Sequence, residues 1–210
     1  MSREALIEDL KRYRVLKSKN IEDALWEVDR ANFVLPEDKQ FSYADNAMPI
    51  GHGQTISQPL TVVFMLELLN AKKGNVIMDI GSGSGWQTTL LANIVGETGR
   101  IYAVEIIPEL YKFGKQNVSK YPHLLERVNF FCQNAKDGLP DIAKRTGGFD
   151  GIIAAAALSK EPEEWRKQLK TGGVLVYPKD NGIYKEVKVG RNEIKSEFYP
   201  GFVFVPFVDY

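Results

Sequence analysis

The 210-residue chain predicts an α/β fold, doubly wound around a mostly parallel seven-stranded sheet. Three observations carry this. From Gly74 onward, short apolar runs alternate with helical stretches. A glycine-rich turn, "GSGSG", separates the first of these runs from the helix that follows it. The last two apolar runs have no helix between them.

In chain order, Ser2 is placed to cap a first helix in which Leu6, Leu10 and Tyr13 recur at helical spacing. A second helix starts at Asn20 with "IEDALWEV", its acids lying in the first turn. Residues 29–58 are rich in turn formers and read as a covering segment with a functional loop. "PLTVVFMLELLNAKKG" predicts a helix ending at Gly74. "NVIMDI" is the first core strand, followed by the glycine turn and a helix near 85–95. "RIYAVEI" is the second strand, and Pro108 opens the helix after it. "RVNFFCQ" and "FDGIIAAA" are the third and fourth strands. A helix near 161–169 precedes the fifth, "GGVLVYP". Strands alternating with helices require right-handed crossovers and hence parallel pairing. "GIYKEVKVG" and "GFVFVPFVDY" predict an antiparallel pair at the sheet edge. The chain reads as one domain, with residues 1–73 a helical and lid cover on the 74–210 core.

Composition narrows the functional classes. Apolar residues make up 44% and charged residues 26%, and Lys+Arg equals Asp+Glu at 27, so no global basic field points to nucleic acid or an anionic membrane. No apolar stretch approaches the roughly 20 residues needed to cross a bilayer. Residues 1–20 are charged throughout, without an apolar signal core. Cys132 is the only cysteine, which excludes an internal disulfide and argues against a cysteine metal cluster; no His/Asp/Glu spacing matches a metal site. Cys132 itself is expected to be a buried core thiol on its strand. The expected setting is the cytoplasm, and nothing in the chain requires more than a monomer.

The segment "MDIGSGSGWQT" carries the ligand signal. Gly81, Gly83 and Gly85 let the backbone turn sharply and a ligand approach closely. Glu105 ends the next strand, 20 residues after Gly85, where an acid accepts the hydroxyls of a ribose. The spacing is G-x-G-x-G, not the G-x-G-x-x-G of a pyrophosphate site. Asp79 before the first glycine would repel a pyrophosphate but suits the ammonium of an amino acid. S-adenosyl-L-methionine combines that ammonium with a ribose diol and no phosphate. A nicotinamide dehydrogenase is disfavoured on the same grounds.

A second segment, "IGHGQTISQP" (50–59), gathers glycines, hydroxyls and amides ahead of an apolar helix. Together, "IGHGQTISQP", "DIGSGSGW", "VEIIPEL", "AAAA", "LKTGGVLVYP" and "FVFVPF" resemble the protein-L-isoaspartate (D-aspartate) O-methyltransferase family, and "VDRANFVLPED" and "YADNAMPI" resemble its lead-in. The similarity runs from about residue 28 to the end. It implies methyl transfer from S-adenosyl-L-methionine to the isoaspartyl carboxylate of damaged proteins, which starts repair through a succinimide. D-aspartyl acceptance stays open.

By position, the resemblance places Thr55, Ile56 and Ser57 over the reacting centre, with Thr55 and Ser57 as catalytic candidates. Asp79 and the loop Gly81, Ser82, Gly83 to Gly85 hold the methionine part, and Glu105 holds the ribose. "VFVPF" lines the isoaspartyl pocket. Asn134 and Ala135 stand where the family has an Asp-Gly pair near adenine, with Asp137-Gly138 as a second register. His52 replaces an aromatic residue, and "DNGIYKEVKV" lacks a Gln-x-Leu.

The chemistry asks for little beyond alignment. A carboxylate nucleophile, with an ordinary pKa of about 4, is already ionised at neutral pH, so no strong base is needed. A neutral hydroxyl such as that of Ser57 aims it without quenching it. "S-Q-P" also fits a helix entry, so capping is the competing role for Ser57, and packing the competing role for Trp86. Two rival functions remain at this stage: a methyltransferase with another acceptor, and a binding protein whose cofactor site has decayed at Asn134-Ala135.

Overall fold

The structure, a computed structural model, describes residues 1–191 and 193–208. Helix α1 (Arg3–Arg12) is capped by Ser2, whose hydroxyl accepts from the Ala5 N–H at 3.2 Å. Its buried face is Leu6, Ile7 and Leu10, whereas Tyr13 lies beyond the last turn and is exposed. Helix α2 (Lys19–Glu27) is capped from a distance: Glu67 accepts from the N–H groups of Lys17 and Ser18, both at 2.7 Å. Two short 3-10 turns (Arg30–Asn32 and Pro36–Phe41) lead to a hairpin of β1 (Met48–Gly51) and β2 (Gln54–Ile56), antiparallel with Met48 opposite Ile56. Helix α3 (Pro59–Leu69) stops earlier than the sequence predicts. Asn70 takes the left-handed conformation (φ 51°) and ends it, and Gly74 belongs instead to the turn into the sheet, its N–H donating to Val95 O at 2.8 Å.

The core then unfolds in the predicted rhythm: β3 (Val76–Ile80), α4 (Trp86–Val95), β4 (Arg100–Glu105), α5 (Pro108–Val118), β5 (Val128–Cys132), β6 (Phe149–Ala154), α8 (Glu163–Gln168) and β7 (Leu169–Lys179). Two short helices unforeseen in the sequence, α6 (Pro122–Leu125) and α7 (Pro140–Thr146), each begin at a proline. Strands β8 (Gly182–Gly190) and β9 (Glu193–Pro200) complete a seven-stranded sheet in the order β5-β4-β3-β6-β7-β8-β9, with the first four pairings parallel and the last two antiparallel.

Two expectations are corrected here. The last strand is "EIKSEFYP", not "GFVFVPFVDY". Residues 201–208 leave the sheet at Gly201 (φ 96°) and cross to the loop after β6, where Ala157 N–H donates to Val205 O and Phe207 N–H to Ala157 O, both at 2.8 Å. Residues 209 and 210 lie outside the described residues. Cys132 is exposed, because β5 is an edge strand and only part of each of its faces is covered.

Alternation along the strands sorts the core onto two faces. Ile77, Ile101, Ile153 and Val176 join the apolar faces of α1 to α5 in one buried cluster. Met78, Val104, Ile152 and Leu175 face the other way and pack with Ile142, Trp165 and Leu169. The chain winds outward from β3 through β4 to β5 and returns to β6 on the other side of β3. The strand order therefore reverses between β3 and β6, and a crevice opens at their carboxyl ends.

Candidate active site

Three loops meet at that crevice. After β3, the glycine turn is tied to β4: Gly81 and Ser82 N–H groups donate to Val104 O at 2.9 and 3.1 Å. After β4, Glu105 braces the same turn, its Oε2 accepting from Gly83 N–H at 2.9 Å and its Oε1 from Ile107 N–H at 3.0 Å. After β6, Ala155 N–H donates to Ile80 O at 2.9 Å and brings the alanine run alongside. The β1–β2 hairpin lies over them. Ile50 is buried, and a Cβ at Gly83 would come within 3.3 Å of its Cδ1, so a glycine there lets the hairpin close down. The hairpin tip, Gly51, His52 and Gly53, has φ of 89°, 54° and 71°. His52 sits on this exposed tip.

These elements enclose three adjoining spaces. A cleft with about 600 Å³ of unfilled space runs under the hairpin, lined by Gln54, Thr55, Gly81, Gly83, Glu105 and Ala135, and by Val205, Pro206 and Phe207 from the C-terminal segment. A smaller cavity of about 320 Å³ lies beneath the glycine turn, against Ile56, Ser57, Ser82, Ser84 and Trp86. An outer groove of about 710 Å³ lies between the hairpin foot and the C-terminal segment, lined by Ser57, Gln58, Thr61, Val203 and Phe204. Thr55 and Ala155 border all three spaces, and Ser57 borders the second and third.

The predicted residues divide accordingly. Thr55, Ile56, Ser57, Gly81, Ser82, Gly83, Glu105 and Ala135 are brought together on these walls. Ser57 is not a helix cap. The residue preceding α3 is Gln58, and the Leu60 N–H goes to Asp45 Oδ1 at 2.8 Å, leaving the Ser57 hydroxyl with no protein partner among the described residues. Asp79 lines none of the three spaces and stands behind them. It is fully buried and accepts from Gln87 Nε2 at 2.8 Å and Thr88 Oγ1 at 2.5 Å, which fixes the first turn of α4. Burial pushes its carboxyl up to about 6, against the pull of those two bonds. Gly85 likewise supports rather than lines. At φ 84° it begins α4, and a Cβ there would lie 2.9 Å from Gly114 O. Asn134 turns its amide oxygen back to Lys136 N–H at 2.7 Å, so Ala135 and Gln133 form the wall instead. The second register fails for the cleft as well, since Asp137 borders a separate groove.

Sequence reasoning missed Gln133, the apolar Ile106, Ile107 and Leu110, and Ala156. The pattern of an acid followed directly by an apolar pair and Pro108 was the available signal for the first of these after Glu105. Trp165 was missed too. Its indole N–H donates to Ala135 O at 2.7 Å and its ring meets Phe207 edge-on at 5.7 Å, so it positions two walls at once.

The walls suit a nucleoside with an amino-acid tail. Glu105 retains lone pairs beyond the two it gives the backbone. The cleft floor is apolar at Ile107, Leu110 and Ala135. Beneath the turn, Ser82 Oγ and Trp86 Nε1 are buried polar atoms without a partner among the described residues, as a polar-ligand site would leave them. Comparison with known proteins agrees. The family described as Protein-L-isoaspartate(D-aspartate) O-methyltransferase (PCMT) matches residues 1–210. The chain belongs to this family. A protein-L-isoaspartate O-methyltransferase from Thermococcus onnurineus is 36% identical over 207 residues, covering 96% of this chain and 91% of its own. One from Staphylothermus marinus is 34% identical over 215 residues, covering 98% and 93%. A beta-aspartate methyltransferase (PCMT) from Plasmodium falciparum, crystallised in complex with S-adenosyl-L-homocysteine, superposes with a TM-score of 0.88 at 26% identity over 99% of both chains. The protein is therefore a methyltransferase that uses S-adenosyl-L-methionine to methylate isoaspartyl residues of damaged proteins. The decayed-site and other-acceptor readings fall away.

Proposed function

We propose that residues 55–57 form the partition across which the methyl group moves, with donor on one side and isoaspartyl carboxylate on the other. The observation that carries this is the position of Thr55 on the shared wall of all three spaces, with Ser57 beside it facing the outer groove. S-adenosyl-L-methionine supplies, when bound, a methyl carbon made electrophilic by its sulfonium. Glu105 holds the ribose hydroxyls, Ala135 and Leu110 flank the base, and Ser82 and Trp86 receive the amino-acid tail; Ile56, Gly81 and Gly83 shape the space between. Asp79 acts through Gln87 and Thr88, and Asn134 through the backbone of its turn.

The acceptor carboxylate enters the outer groove already ionised. The unpartnered Ser57 hydroxyl donates one hydrogen bond to it and directs the free oxygen lone pair past Thr55. Ile50, Ile56, Val205 and Phe207 keep water from the line of attack. A single neutral donor suffices, since a charged clamp would hold the nucleophile too tightly. Residues 1–73 serve as cover and lid on one domain, a reading supported by the buried cluster they share with the sheet. The enzyme works as a cytoplasmic monomer on protein and peptide substrates, not on nucleic acid, which its zero net charge supports.

The test is Ser57→Ala with a radiolabelled donor and an isoaspartyl peptide, its aspartyl isomer as control. Losing one hydrogen bond to a charged group, about 1.5–3 kcal/mol, lowers kcat/KM roughly 10- to 100-fold. Turnover and peptide affinity both unchanged would remove Ser57 from the mechanism.

A further inference from the structure

The lead-in segment "VDRANF" holds a side chain that the reaction does not yet account for. Arg30 is 2% exposed, and no carboxylate is hydrogen-bonded to it among the described residues. Its partners are three backbone carbonyls. Nη1 donates to Ser42 O at 2.6 Å. Nη2 donates to Asn46 O and to Ser57 O, both at 3.0 Å. Asn46 and Ser57 flank the β1–β2 hairpin on its two sides, so one nitrogen ties both feet of the lid together. The guanidinium carbon lies over the Trp86 ring, 5.1 Å from its centroid, and Trp86 lines the cavity beneath the glycine turn. Nε has no partner.

A buried cation with only neutral partners is a costly arrangement for a fold to keep. The nearby carboxylate, Asp45, is committed elsewhere, to Leu60 N–H and Gln58 Nε2. Simple support of residues 42–57 would need only neutral donors. What the guanidinium adds is a rigid planar fork that reaches carbonyls on both sides of a hairpin while its charge lies over an indole ring. We propose that Arg30 is a positioning residue: it seats the lid on the donor cavity by joining both hairpin feet to Trp86, and so fixes where Ser57 presents its hydroxyl.

The inference rests on the reading of Ser57 given above, and the experiment separates the two. Arg30→Lys keeps the charge and removes the fork. With the full-length enzyme and S-adenosyl-L-homocysteine bound, amide exchange in residues 47–57 rises at least tenfold while exchange in β3 and β4 stays as in the wild type. Turnover of an isoaspartyl peptide falls about tenfold. The variant Arg30→Lys/Ser57→Ala loses no more than the worse of its two parents, because both act through one group. Losses that multiply, exchange that rises equally in the sheet, or wild-type exchange in 47–57 would each overturn the proposal. A wild-type rate in Ser57→Ala alone removes the Ser57 reading, and the exchange of 47–57 in Arg30→Lys still decides the clamp. Should Arg30→Lys not fold, Trp86→Leu removes the indole ring, and exchange in 47–57 must then rise several-fold; wild-type exchange there overturns the clamp.

Discussion

Asp79 is buried behind the walls of the site, where it holds the first turn of α4. Its carboxyl is fully buried, held among the described residues by Gln87 and Thr88, and that burial pushes its pKa up from 3.8 to about 6. The folded carboxyl keeps its proton to higher pH than the unfolded one. Folding thus takes up protons between about pH 4 and 6, and stability falls as pH rises through that window. At neutral pH the ionised group opposes folding by on the order of 3 kcal/mol, the shift from 3.8 to about 6 converted at 1.36 kcal/mol per unit. Asp79→Asn, whose amide still meets Gln87 and Thr88, is therefore expected to melt higher than the wild type at pH 7. The difference should shrink toward pH 4, and melting scans at the two pH values check it. The sequence made Asp79 visible as a residue of the site. What it hid was direction: an acid near the end of a parallel strand can face the flanking helix or the crevice, and only the fold shows that the helix after the turn has claimed this one. Asn134 was hidden for the same reason, its amide oxygen turned to a local backbone N–H.

At the scale of elements, the approach of α5 to the glycine turn is the tightest constraint near the site. A Cβ on Gly114 would stand 2.5 Å from Gly83 O. In an exposed helix, Gly→Ala stabilises by about 1 kcal/mol. Here the contact decides the sign, because the obstacle is backbone and cannot rotate away. Gly114→Ala is expected to keep α5 helical yet displace the turn, weakening S-adenosyl-L-homocysteine about tenfold or more by calorimetry. Strands β3 to β7 and the helices α4 and α5 were legible because buried parallel strands are short apolar runs with turns at both ends. The C-terminal strand was misplaced because "FVFVPF" is apolar enough to pass for a strand, while "EIKSEFYP" alternates weakly and lies on the open edge of the sheet. Cys132 misled in the same way: its neighbours are apolar, but an edge strand covers only part of what it carries.

For the whole molecule, zero net charge matches the task. Isoaspartyl damage arises in proteins of any charge, and a strong field would favour some and repel others. The value of kcat/KM for one damaged protein is expected to change less than about threefold between low and physiological ionic strength, since a net charge of zero leaves no overall monopole field to be screened. Steady-state rates across a salt series check this, and a steep fall would reveal a local charged patch in substrate capture. Fold class and donor were readable from the chain because both depend on local pattern: period, glycine spacing and the acid ending β4. Of the outer groove, Thr55, Ser57 and the "VFV" of the C-terminal segment were readable through the family resemblance, but not Ala47 or Thr61, because residues far apart in sequence build it.

Residues 201–208 follow the last strand in order of synthesis, yet they wall both the donor cleft and the outer groove. A cut after Pro200 leaves every strand in place and strips away these walls. Proteolysis there is thus expected to silence the enzyme while the sheet persists, which parallel rate and far-UV circular dichroism measurements check.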